Sequence, residues 1–182
     1  DSGKRPWRFY AGAETITIPK LFSQNGWESI GIAKNFHRGD GPEFDTYIPS
    51  FKTPKKLKKV GLNLNSSAIW DIADMPVSEM GDYKAASAAI KTIRSQKDPL
   101  LLSVGIYRPH VPWIVPQAYF DMYPSETLQL SERREEDLDD LPERLKLVAG
   151  LEAKFGKGYH EKLVRKGYDK QFVRAYLASV TF

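Results

Sequence analysis

Lys34 and His37 lie three positions apart, and Arg108 and His110 lie two apart, so two short segments each pair a cation with an imidazole. A lysine ammonium is a compact charge with three N–H donors. An imidazole donates one hydrogen bond when neutral and two when protonated. Such groups suit an oxyanion such as sulfate or phosphate, whose reaction moves charge onto a leaving oxygen. For either pair alone, a surface lysine and loop-capping histidines are the simpler reading. Two pairs favour a site if the strands that precede them are neighbours in one parallel sheet.

The elements that must position these residues can be read along the chain. Thr17 reads as an N-cap and Pro19 as a first-turn residue of a short helix. Ile18, Leu21 and Phe22 recur at i, i+3, i+4, and Asn25-Gly26 ends it. Residues 27–33 then read as a strand, with Ile30 and Ile32 alternating, that runs into Lys34. Residues 100–106 form a continuous apolar run, as expected for a strand buried on both faces of a parallel sheet, and empty into Arg108 and His110. Open α/β sheets take ligands at such C-terminal strand ends. Between the two, residues 40–67, with Pro42, Pro49 and Pro54, read as one long irregular connection. Residues 78–96 read as a helix capped by Ser78, with Tyr83, Ala86, Ile90 and Ile93 at helical spacing, stopped by Asp98-Pro99. A last helix, 169–182, is apolar through Phe172, Val173, Tyr176, Leu177 and Val180. Helices alternating with strands place the chain in the α/β class.

Composition removes several kinds of chemistry. The absence of cysteine excludes disulfides, thiolate zinc sites and a cysteine nucleophile, and three histidines are too few for a histidine-rich metal site. The 182 residues, 41% of them apolar, are enough for one compact domain with a core, and no apolar run reaches bilayer-spanning length. The net charge of +4 is unevenly placed. Lys52, Lys55, Lys56, Lys58 and Lys59 can meet phosphate, sulfate or nucleic acid, but Pro54 interrupts them and a solvated loop is the simpler reading. The acidic run at 135–140 lacks the alternating ligands and turn glycine of a calcium loop. His160 reads as surface, and Gly156 and Gly158 lack the preceding strand of a phosphate loop. Trp7, Trp27 and Trp70 read as core, whereas Trp113, beside Val111 and Pro112, is expected at a pocket wall.

Thr17-Ile18-Pro19-Lys20-Leu21-Phe22 and Gly31-Ile32-Ala33-Lys34-Asn35-Phe36-His37 resemble the sulfatase stretch in which a helix and strand lead to a Gly-Lys-x-x-His site. Residues 101–113, LLSVGIYRPHVPW, resemble the family's second landmark, a strand ending in Lys/Arg-Pro-His-x-Pro-Phe/Trp. The similarity continues through 116–124, 137–142 and 175–180 in the same order, and is nearest in pattern to the iduronate-2-sulfatase-like members of the alkaline-phosphatase superfamily. The resemblance implies an alkaline-phosphatase-like α/β/α sandwich, of which residues 1–182 are expected to be an interior fragment, incomplete at both ends. It implies hydrolysis of a sulfate ester on a sulfated sugar such as iduronate 2-sulfate, a glycosaminoglycan unit. Lys34, His37 and His110 match the family's sulfate-contacting catalytic residues, and Arg108 sits where relatives carry Lys or Arg near the substrate. Ala33 departs from the pattern, since the family often has glycine before this lysine.

Sulfatases attack sulfur with a formylglycine hydrate made within a Cys/Ser-x-Pro/Ala-x-Arg motif, and bind calcium through acidic residues. Neither the motif nor those ligands occur in these residues. Calcium and formylglycine are therefore implied for a longer parent, no metal ligand is expected here, and the chain alone is expected to be catalytically silent. The expected partners are the rest of the parent domain and a sulfated saccharide, with neither nucleic acid nor a membrane. The family is typically lysosomal, periplasmic or secreted, and the compartment stays open. A rival reading is a non-catalytic module that holds anionic glycan or nucleic acid on the 52–59 lysines, ordered on one face beside a groove. A phosphatase or phosphodiesterase of the same superfamily needs more metal ligands than these segments supply.

Overall fold

The computed structural model describes residues 16–36, 43–53, 56–60, 63–64, 67–68, 70–132, 139–140, 142 and 166–182. His37, Pro54, Lys55, the 135–138 part of the acidic run, Gly156, Gly158 and His160 lie outside the described residues. The chain divides into two compact units, Asp1–Pro54 with Pro76–Tyr107 and Lys55–Met75 with Arg108–Phe182.

In the first unit, helix α1 (Ile18–Gln24) follows an extended Thr17. The Thr17 hydroxyl makes no cap and instead donates to the Glu43 carboxylate at 3.0 Å. Asn25 and Gly26 end the helix, and Gly26 takes φ 81°, a left-handed turn that glycine adopts without strain. Trp27, read as core, is 41% exposed and meets the Phe22 ring edge-on. Strand β1 (Glu28–Ala33) follows at once and is buried from Ser29 to its end. It is buried because it is the middle strand of a parallel three-stranded sheet, between β2 (Thr46–Ile48) and β6 (Leu100–Gly105). Glu28 pairs with Leu100 and Ala33 with Gly105, so β1 and β6 run in step and end together.

The strand β2 shows that the 40–67 connection is not irregular throughout. Three residues are too few for an alternating pattern to be visible, and β2 is specified by its pairing with Ile30, Gly31 and Ile32 rather than by its own sequence. Strand β6 also differs from the expectation, being half-buried along its whole length rather than buried on both faces.

Helix α2 (Gly81–Ser95) begins one residue after a 3₁₀ turn (Val77–Glu79), so Ser78 sits inside that turn and Met80 takes the cap position. The helix buries Gly81, Ala85 and Ala89, spaced four apart, rather than its larger apolar stripe; Tyr83, Ile90 and Ile93 are exposed. Small residues at i, i+4 and i+8 let the helix approach its neighbours closely. A Cβ on Gly81 would come 2.4 Å from the Phe51 carbonyl oxygen. Ala85 and Ala89 complete a core with Ile30, Ile32 and Ala33, flanked by Ile48, Leu100, Leu102 and Val104.

The second unit holds the short antiparallel pair β3 (Asn63–Leu64) and β4 (Ser67–Ala68), and the parallel pair β5 (Trp70–Ala73) and β7 (Trp113–Pro116). Helices α3 (Gln117–Asp121) and α4 (Asp169–Thr181) pack with the β5–β7 pair. Trp70, Trp113, Val115, Phe120, Ala175 and Ala178 form its core. Helix α4 buries Ala175, Ala178 and Ser179 rather than the larger apolar residues expected to face the core, and Tyr176 and Val180 are exposed. No described helix is long and apolar enough to cross a membrane.

Candidate anion-binding site

Lys34 is the first residue past β1, and the chain turns sharply to place it. Ala33 has φ 61°, a left-handed conformation that costs a Cβ-bearing residue about 1–2 kcal/mol. Surrounding bonds hold the conformation. The Lys34 N–H donates to the Gly105 carbonyl at 3.0 Å, extending the β1–β6 ladder by one residue. The Ala33 carbonyl accepts from the Asn35 N–H at 2.9 Å and from the Tyr47 hydroxyl at 2.6 Å. The Asn35 side-chain amide donates to the Ile32 carbonyl at 2.9 Å and to the Ser103 carbonyl at 3.3 Å, while its oxygen accepts from the Ser103 hydroxyl. Phe36 ends the turn against Phe44 and Tyr47, with ring centroids 6.0 and 6.3 Å away.

Backbone approach at this point is close enough to dictate a residue. A Cβ on Gly105 would lie 2.1 Å from the Lys34 carbonyl carbon and oxygen, so only glycine fits beneath the turn. The Lys34 ammonium is half-buried and donates to the Phe36 carbonyl at 2.8 Å. That bond uses one of its three donors and leaves two for an anion.

The segment after β6 is built differently. The Tyr107 N–H donates to the Asp82 carboxylate at 2.9 Å, which fixes the chain as it leaves the strand. Beyond it, in the second unit, Arg108 directs Nε and Nη2 to the Ile114 carbonyl at 3.2 and 3.1 Å. His110 is exposed, and its Nδ1 donates to the Val111 carbonyl at 2.6 Å. A carbonyl only accepts, so the proton sits on Nδ1 and the ring can donate from Nε2 only as an imidazolium. Both proline bonds of the segment, Arg108–Pro109 and Val111–Pro112, are cis.

Trp113 is a core residue rather than a pocket wall. It is 9% exposed, packs edge-on to Phe172 and Tyr176 at 4.6 and 5.4 Å, and donates its indole N–H to the Pro109 carbonyl at 2.7 Å. The reason is its strand: β7 carries it into the second unit's core opposite Trp70, a pairing that the proline-rich run around it hides.

Strands β1 and β6 are parallel neighbours within the first unit, and Lys34 follows the end of β1. Asn35, Ser103 and Tyr47 are the residues that sequence reading missed. Nothing in a lone asparagine or serine signals a partner 68 positions away. The lysine-rich stretch is divided: Lys52 belongs to the first unit and Lys56, Lys58 and Lys59 to the second. The latter three are exposed, and their segment pairs with β5, Lys58 N–H to Ile72 carbonyl at 3.0 Å. Among the described residues no group of three or more His, Asp or Glu is arranged to hold a metal ion.

No family model matches the chain. It is 30% identical over 190 residues to a protein named Sulfatase from Formosa agariphila, covering 94% of this chain and 36% of that relative. It is 29% identical to mouse and 30% identical to human iduronate 2-sulfatase, each over 143 residues, covering 69% of this chain and 26% of the relative. The chain thus spans 36% of the length of the first relative and 26% of the others.

Proposed function

From the premise that this chain belongs to the sulfatase family, we propose that it supplies part of the sulfate-binding site of a sulfuric ester hydrolase. Lys34, His37 and His110 are its sulfate-contacting residues, and Arg108 acts on the substrate side of the ester. The observation that carries this reading is the in-step ending of β1 and β6, because ligands of open α/β sheets bind at the C-terminal ends of adjacent strands. The two unspent donors of Lys34 suit sulfate oxygens, which gain charge as the S–O bond breaks.

The substrate class follows from the names of the mouse and human relatives, which act on iduronate 2-sulfate by name; a sulfated sugar of this type is the substrate proposed here. Calcium and a formylglycine nucleophile belong, on this reading, to a longer parent protein, whose remaining domain and sulfated saccharide are the partners.

Two measurements test the proposal. In the full-length protein, Lys34→Ala, His37→Ala and His110→Ala are each expected to lower kcat/KM for an aryl sulfate on the order of 10²-fold. The 182-residue chain by itself is expected to turn over none, and measurable hydrolysis by it would sink the assignment of the nucleophile to other residues. Full activity in the Lys34 and His110 variants would remove both from the site and leave the divided lysine stretch as the better candidate for anion binding.

A further inference from the structure

We propose that Asn35 and Ser103 form a latch that positions Lys34 for anion binding. This deepens the sulfate reading and rests on it. The Asn35 side chain spans two strands: its amide N–H groups reach the Ile32 carbonyl of β1 and the Ser103 carbonyl of β6, and its oxygen takes the Ser103 hydroxyl. Both donors and the acceptor of one amide are therefore committed at the point where the chain leaves the sheet. The residue on one side, Lys34, carries the candidate anion ligand; the residue before that, Ala33, is held at φ 61° against its preference.

A left-handed residue with a Cβ relaxes unless its surroundings over-determine it. Here Tyr47 and the Asn35 N–H fix the Ala33 carbonyl, and Gly105 receives the Lys34 N–H, but these bonds act on the backbone alone. The Asn35–Ser103 contact is the one that ties the residue after Lys34, through its side chain, to the neighbouring strand. It fixes the direction in which Lys34 leaves the sheet, and with it the position of the Phe36 carbonyl that orients the ammonium. Without the latch the turn relaxes and Lys34 meets an anion from many positions rather than one. Asn35 and Ser103 are thus positioning residues and do not themselves touch the anion.

Inorganic sulfate, titrated calorimetrically into the full-length protein, tests this without requiring turnover. Asn35→Ala is expected to weaken sulfate about tenfold, and Ser103→Ala less, with the double variant no worse than Asn35→Ala because both remove one contact. In a Lys34→Ala background, Asn35→Ala is expected to change sulfate affinity no further, a coupling that a merely structural role would not produce. If Asn35→Ala does not fold, Ser103→Ala against Ser103→Thr decides: threonine keeps the hydroxyl and is expected to keep the affinity. Equal sulfate affinity in wild type and Asn35→Ala, or in both Ser103 variants, with Lys34→Ala impaired, overturns the latch and leaves the sulfate reading standing. Unchanged affinity in Lys34→Ala, or no sulfate binding by wild type, overturns the sulfate reading and the latch with it.

Discussion

The turn after β1 and the segment after β6 are held in place in different ways. The Lys34 turn is fixed by residues far away in sequence: Tyr47 lies 14 positions from Ala33, and Ser103 lies 68 positions from Asn35. The 108–113 segment carries short-range bonds, Arg108 to Ile114, His110 to Val111 and Trp113 to Pro109, over spans of six, one and four residues, and Trp113 seats it on Phe172 and Tyr176. A segment that satisfies its own backbone carries its geometry as a sequence motif. A turn held by the sheet around it has a geometry that depends on tertiary structure, and substitutions in neighbouring strands reach it.

The comparison is sharpest at Trp113. If this residue anchors its segment to the second unit's core, Trp113→Ala removes a buried aromatic and about 3–5 kcal/mol of stability. Urea unfolding checks the magnitude. Trp113→Phe keeps one ring in the core but deletes the other and the indole N–H to Pro109, so it is expected to cost less, about 2 kcal/mol. A loss on alanine substitution no larger than the loss for phenylalanine would return Trp113 to the pocket wall that the sequence suggests.

Gly105 tests the other side of the comparison. Gly105→Ala pushes a Cβ to 2.1 Å from the Lys34 backbone, which cannot swing aside as a side chain does, and about 3 kcal/mol is expected. Gly31→Ala meets the Phe44 ring at 2.6 Å and the Tyr47 ring at 2.8 Å instead. Rings can shift, so about 1 kcal/mol is expected there. Equal costs at the two glycines would mean that the turn is not seated on β6 and that its distant anchors are incidental.

This difference also explains what could be read beforehand. Helix α1, strand β1, helix α2, strand β6 and helix α4 each carry enough residues for a period to show, and the strand ends gave Lys34, Arg108 and His110. The order of the matching stretches along the chain carried the family resemblance. What stayed hidden depended on contacts between segments. The three residues of β2 and the four each of β5 and β7 are too short for a pattern, and Pro112 and Pro116 make the β7 region read as loop. The large residues of α2 suggested the buried face, but the geometry required the small ones. Ala33 gave no sign of a positive φ because alanine seldom adopts one.

The smallest effect concerns the opposite end of β1, where Asp45 does for Ser29 what Asn35 does for Lys34. Its carboxylate accepts from the Ser23 hydroxyl at 2.7 Å and from the Ser29 N–H and hydroxyl, both at 2.9 Å. These bonds favour the ionised form, the Ser23 hydroxyl most, and hold the Asp45 carboxyl below its ordinary value. A depressed folded value means that the unfolded chain takes up the proton first as pH falls. The contribution of Asp45 is therefore fully present above the usual aspartate range, near 3.8, and is lost as pH drops through the lower folded value. Asp45 is solvent-exposed, so water screens the effect and it is expected to be small. Asp45→Asn should lower the melting temperature slightly at neutral pH, with the gap to wild type closing in acid. A gap that stays constant from neutral pH into acid would show that the serines hold Asp45 by shape rather than by charge.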